Sequence, residues 1–128
     1  MRTFIIDGST FSNLEEFYIE VQKVLTDNFS GFGRNLDALN DVLRGGFGKF
    51  EYEEPIELIW ESSDKSREDL GYSETVRYLK EKLKRCHPSN FANVQKELEA
   101  AEKQKGPTIY EIILEIIRDN KNINLILA

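Results

Sequence analysis

The chain has 128 residues, 40% of them hydrophobic, and a net charge of −6. That length suits one domain, 1–128, around a single core, and no apolar run approaches the roughly 18 residues that a membrane span needs. Cys86 is the only cysteine, which excludes an internal disulfide and gives no sign of an oxidising compartment. The opening residues, Met-Arg-Thr-Phe-Ile-Ile-Asp-Gly, hold too short an apolar run for a secretory signal, so a cytoplasmic location is expected.

The charge is unevenly spread. Residues 35–74 carry 11 acids against 4 bases, whereas residues 75–128 carry 7 acids against 10 bases. An acidic middle repels phosphate backbones and attracts basic proteins, so a basic protein is the expected partner, with neither nucleic acid nor membrane.

In chain order, Arg2 to Asp7 is a short β-rich run closed by Gly8 and reads as an edge or central strand. Ser12-Asn13-Leu14-Glu15 has the Ser-x-x-Glu form of a capping box. A helix is expected from there to about Thr26, with Leu14, Phe17, Tyr18, Val21, Val24 and Leu25 on one face.

The stretch from Gly31 to Gly48 then reads as a short helix bracketed by glycines. Leu36, Leu39 and Leu43, with Val42 beside them, form an apolar stripe, and Asp37, Asn40, Asp41 and Arg44 lie opposite. Asn35 is a good N-cap, and Asp37 falls near the positive end of the helix dipole. Asp41 follows one turn later, and two like charges at that spacing cost an isolated helix a few tenths of a kcal/mol, on the order of 0.2–0.5. With Arg34 and Arg44 each three residues from an acid, a plain solvated face is the expected reading on pattern alone. The flanking Gly-Phe-Gly trios are not a phosphate loop, because Gly48-Lys49 runs into Phe50.

Pro55 to Trp60 reads as a second strand, with Trp60 in the core. Two amphipathic helices are expected next. The first, Glu74 to about Arg85, would bury Val76, Leu79 and Leu83, and the second, Asn90 to about Lys103, would bury Phe91, Val94, Leu98 and Ala101. Cys86-His87-Pro88 breaks them, and neither Cys86 nor His87 has ligand-spaced neighbours, so no metal is expected. The Arg77, Lys80 and Lys84 stripe reads as a solvated face. Gly106-Pro107-Thr108 starts a last helix in which either Pro107 is the first residue or Thr108 caps it with Glu111 replying. Its isoleucines call for deep burial, and Ile123 to Leu127 is the final strand. Strand, helices, strand, helices, strand is an α/β chain with a small parallel sheet.

The string Phe32 to Gly45, FGRNLDALNDVLRG, resembles the signature of the barstar family of intracellular ribonuclease inhibitors. Gly33, Asn35, Leu36, Asp37, Ala38, Leu39, Asp41 and Gly45 match it, and Ser66-Arg67 through Leu70-Gly71 is similar to a segment of longer bacterial members. The resemblance implies a barstar-like three-stranded parallel sheet packed with helices, covering 1–61 and 106–128, with an extra helical insert at about 62–105. It also implies that the helix at 33–44 plugs the cleft of a basic ribonuclease, with Asp41 as central anchor and Asp37 beside it. The expected contact surface is Phe32, Gly33, Arg34, Asn35, Asp37, Asn40, Asp41 and Arg44. The chain departs from the family pattern at Asn40 and Gly46, where aromatics are lost, and at Thr108 in place of an acid. Another nuclease, such as a toxin domain with this chain as its immunity protein, is therefore an alternative partner. A non-inhibitory interaction module built on the insert is the other alternative.

No catalytic set is legible. One His, one Cys and no nucleophile or metal spacing leave no enzyme chemistry and no cofactor to expect.

Overall fold

A computed structural model describes residues 1–27 and 33–128. Strands β1 (Arg2–Asp7), β2 (Ile56–Glu61) and β3 (Ile123–Leu127) pair in parallel in the order β1-β2-β3. The run Arg2–Asp7 is thus an edge strand. Alternation sets the faces: Ile6, Ile56, Leu58 and Trp60 are buried under the helices. Ile5, Ile59 and Ile126 fall in register on the other face.

Among the described residues there are six α-helices: α1 (Leu14–Leu25), α2 (Leu36–Arg44), α3 (Ser63–Asp69), α4 (Tyr72–Arg85), α5 (Phe91–Glu102) and α6 (Ile109–Asp119). The arrangement is the α/β, three-stranded parallel architecture expected from the sequence. Trp60 is its centre. It is fully buried, stacks on Phe17 at 5.4 Å and lies 5.3 Å from the ring of Tyr110. Its indole N–H donates to Ser66 Oγ at 3.0 Å, which satisfies the one polar atom such a ring must bury.

The start of α1 differs from expectation. Asn13, not Ser12, is the N-cap, its side chain accepting the Glu16 N–H at 2.9 Å. Leu14 sets this frame: it is 4% exposed, and its N–H donates to Glu74 of α4 at 2.8 Å. The helix can begin only where Leu14 faces inward, which leaves Asn13 at the cap. At α6 the open choice resolves to Thr108, with a reciprocal capping box to Glu111. Ile109, Tyr110, Ile113, Leu114 and Ile117 of α6 are buried.

The segment 62–71 also folds differently. No apolar stripe announces α3, yet Ser63–Asp69 is helical. Small hydroxyls hold it. Ser66 takes the Trp60 indole, and Ser63 donates its N–H and Oγ–H to the Ala128 carbonyl. Gly8 is what lets α3 sit so close, since a Cβ there would meet Glu61 O and Ser66 Oγ at 2.6 Å. The insert region therefore has three α-helices where two were expected. Helices α4 and α5 share a second, smaller cluster, Leu79, Val94, Leu98 and Ala101, with Tyr78 packed against both cores. Phe91, expected inside, is 51% exposed; it is the first residue of α5, before the helix turns its stripe onto α4.

Candidate functional site

Helix α2 is built as a two-sided element. Its inner stripe, Leu39, Val42 and Leu43, is no more than 1% exposed, with Leu36 and Ala38 packed at the margin of the same core. Burying those side chains stabilises the helix by an amount that nine residues of propensity could not supply alone. Asn35 caps it as expected, its Oδ1 accepting the Ala38 N–H at 2.8 Å.

The other end is closed by backbone geometry. Gly45 has φ +90, and a Cβ there would lie 2.3 Å from Glu51 O and 2.7 Å from the Phe50 ring. Only glycine fits that turn. The Glu53 N–H then donates to Arg44 O at 2.6 Å. On the far side, the Asp27 N–H donates to Phe47 O at 2.9 Å, and Thr26 and Gly48 form an antiparallel bridge. The segment leaving α2 is thereby stitched to the end of α1.

Two asparagines of the turn after α6 complete the support. Asn120 donates from Nδ2 to Asn40 Oδ1 at 2.8 Å and to Ile116 O at 2.9 Å. Asn122 donates from Nδ2 to Leu43 O at 3.1 Å and to Glu54 O at 3.2 Å. Neither was singled out from the sequence. An Asn-rich turn advertises a helix end, and nothing in it reports partners some 80 positions away.

Of the residues singled out from the sequence, Asp37, Asp41 and Arg44 are exposed on α2, and Gly33, Arg34 and Asn35 are exposed just before it. The side chains of Asp37 and Asp41 make no hydrogen bond or ion pair among the described residues, and neither Arg34 nor Arg44 makes an ion pair there. The arginines thus leave both carboxylates free and open to solvent. Gly33 is close to the cap: a Cβ on it would come 3.1 Å from Asn35 Nδ2. Asn40 is half-buried and its Oδ1 accepts from Asn120, so it also braces α2 at the margin of the open stripe. Phe32 lies outside the described residues.

The glycine-bracketed helix, its cap, its leucine stripe and its two open carboxylates sit on the expected sheet. Residues 1–106 match the family described as Barstar (barnase inhibitor). The chain belongs to the barstar family. The match runs through the insert, so α3, α4 and α5 lie within the barstar span, a stretch over which the resemblance read from the sequence was carried only by Ser66–Gly71. It stops before α6 and β3, where the likeness had been expected to resume. No curated protein matches the chain. Membership of this family supports a protein partner in general.

Among the described residues no group of His, Cys, Asp and Glu could hold a metal ion, and no helix is long and apolar enough to cross a membrane.

Proposed function

We propose that this chain inhibits a basic ribonuclease by seating the exposed face of α2 and the residues before it in the enzyme's active-site cleft. A cleft that holds RNA phosphates must present cations. A stiff helix carrying carboxylates can occupy the phosphate positions, pair with those cations and exclude substrate. Asp41 is the central anchor and Asp37 its neighbour. Gly33 and Asn35 shape the approach, and Arg34 and Arg44 lie at the rim. Asn40 supports from within.

The observation that carries this reading is the pairing of two unengaged, exposed carboxylates with a helix whose opposite side is almost wholly buried. Loose acids on a mobile helix would lose much of their attraction to the entropy of ordering; α2 has already incurred that cost in folding. The acidic run through residues 35–74 adds long-range attraction to a basic partner.

The test is capture followed by assay. The wild-type chain and Asp41→Ala are used as bait in lysate and culture supernatant, and each recovered protein is assayed on RNA with and without bait. Recovery by wild type of a basic ribonuclease that it silences, with Asp41→Ala recovering far less, supports the proposal. Recovery of the same partners by both baits contradicts it. A nuclease toxin recovered in this way would make the chain its immunity protein through the same surface.

A further inference from the structure

A second surface lies on the far side of the sheet. Strands β1, β2 and β3 stand in chain order, so both crossovers step in the same direction, and right-handed crossovers then put their helices on one face. The other face is left open. Ile5 on it is 46% exposed and Ile126 38%, with Ile59 half-buried between them. A parallel sheet is ordinarily covered on both faces, and clustered exposed apolar side chains mark surfaces that meet a partner.

The register defines the shape of this surface. Ile5, Ile59 and Ile126 stand side by side across the three strands, one apolar row with a polar row on either side. Thr3, Glu57 and Asn124 form the first of these, in register, with Thr3 Oγ1 donating to Glu57 Oε1 at 3.3 Å. Asp7 and Glu61 form the second. The outward positions of the strands therefore carry three carboxylates and no Lys or Arg, and none of the three makes an ion pair among the described residues.

Size and charge select the occupant. Neighbouring strands are about 4.8 Å apart, so the face covers roughly 250 Å², against about 800 Å² per partner in a stable complex of globular proteins. A second copy of this chain would also bring the same carboxylates against each other. A single helix fits better. Its turns repeat every 5.4 Å or so, close to the strand spacing, so a helix laid across the strands sets one side chain of each turn over one isoleucine.

We propose that the open face of the sheet binds one amphipathic helix of a basic protein partner. Apolar side chains at i, i+3 or i+4, and i+7 pack on Ile5, Ile59 and Ile126, and Lys or Arg on the helix flanks pair with Glu57 on one side and with Asp7 and Glu61 on the other. The surface shares no residue with α2 or the segment before it, so it stands or falls apart from the nuclease reading.

The test titrates the whole chain with a defined probe, a peptide of about 14 residues with leucines at that spacing and lysine elsewhere. One comparison peptide has glutamate in place of lysine, and another has the same leucines and lysines in scrambled order. Calorimetry gives affinity, and amide chemical shifts give the place. The expected result is one-to-one binding of the first peptide with shifts confined to β1, β2 and β3, and at least tenfold weaker binding of the other two. Ile5→Thr with Ile126→Thr keeps β-branched residues at exposed strand positions; shown folded by its melt, it binds about tenfold more weakly. Glu57→Gln with Glu61→Gln flattens the salt dependence of binding, and Glu102→Gln on α5 leaves affinity unchanged. Shifts centred on α2, equal binding of the three peptides, or unchanged affinity in the isoleucine double variant would each overturn the proposal. So would dimerisation of the chain through these strands, or its sedimentation with phosphatidylcholine vesicles, since another occupant would then cover the face.

Discussion

Asn120 Nδ2 donates to Asn40 Oδ1 across 2.8 Å, and that bond joins the end of the last helix to the middle of the acidic one. Asn120 is only 7% exposed and also closes the Ile116 carbonyl. Its removal strands two acceptors in a poorly hydrated place. Asn120→Ala is expected to destabilise the fold by about 1–3 kcal/mol, read from urea denaturation. It should also weaken partner binding without touching the partner, because α2 loses a brace.

The cap of α2 gives a second prediction. Asn35→Ala removes the acceptor of the Ala38 N–H and is expected to cost about 1 kcal/mol of stability. Asn35→Asp keeps an acceptor at the same place, next to the positive end of the helix, and is expected to melt close to wild type. Thermal melts of the pair separate the loss of a cap from any general intolerance at position 35.

Acid sensitivity follows from Glu74. Burial alone would raise its carboxyl pKa, but hydrogen bonds from Arg77 and from the Leu14 N–H outweigh burial and hold it below the ordinary 4.5. A carboxylate whose pKa is lowered on folding stabilises the native state above its unfolded value, and the contribution fades as pH falls through the folded value. Glu74→Gln is therefore expected to be less stable than wild type at neutral pH by about 1.5–3 kcal/mol. The gap between the two should narrow steadily as the pH is taken below 4.5. Denaturation curves collected from pH 7 downward check both the sign and the window.

Electrostatic steering predicts a kinetic signature. If the acidic middle guides the chain to a basic cleft, the association rate with the captured ribonuclease falls steeply with added salt, while dissociation changes less. Asp37→Asn should flatten that salt dependence. Stopped-flow association across a salt series measures it directly.

Much of this architecture was legible in the sequence because the signals were local. The cap Asn35, the stripe of Leu39, Val42 and Leu43, and the strand read over Pro55 to Trp60 each lie within one or two turns or one strand, and each is found within a residue of where it was expected. The features that escaped are set by distant partners. Asn13 wins the cap of α1 over Ser12 because Glu74 and the core fix Leu14. Helix α3 is held by Trp60 and Ala128 through serines, which carry no hydrophobic period to read. Asn40 looked like part of an open polar stripe until Asn120 arrived from the other end of the chain. The open state of Asp37 and Asp41 was itself not readable, since arginines three residues away could equally have neutralised them.

The most direct measurement is the dissociation constant of the captured ribonuclease for wild type, Asp41→Ala and Glu102→Ala, each variant first shown to be folded. Glu102 is another exposed acid, at the far end of α5. Truncating one member of a desolvated charge pair costs about 2–5 kcal/mol, so Asp41→Ala should bind at least tenfold more weakly while Glu102→Ala binds like wild type. Equal dissociation constants for the two variants would contradict the account.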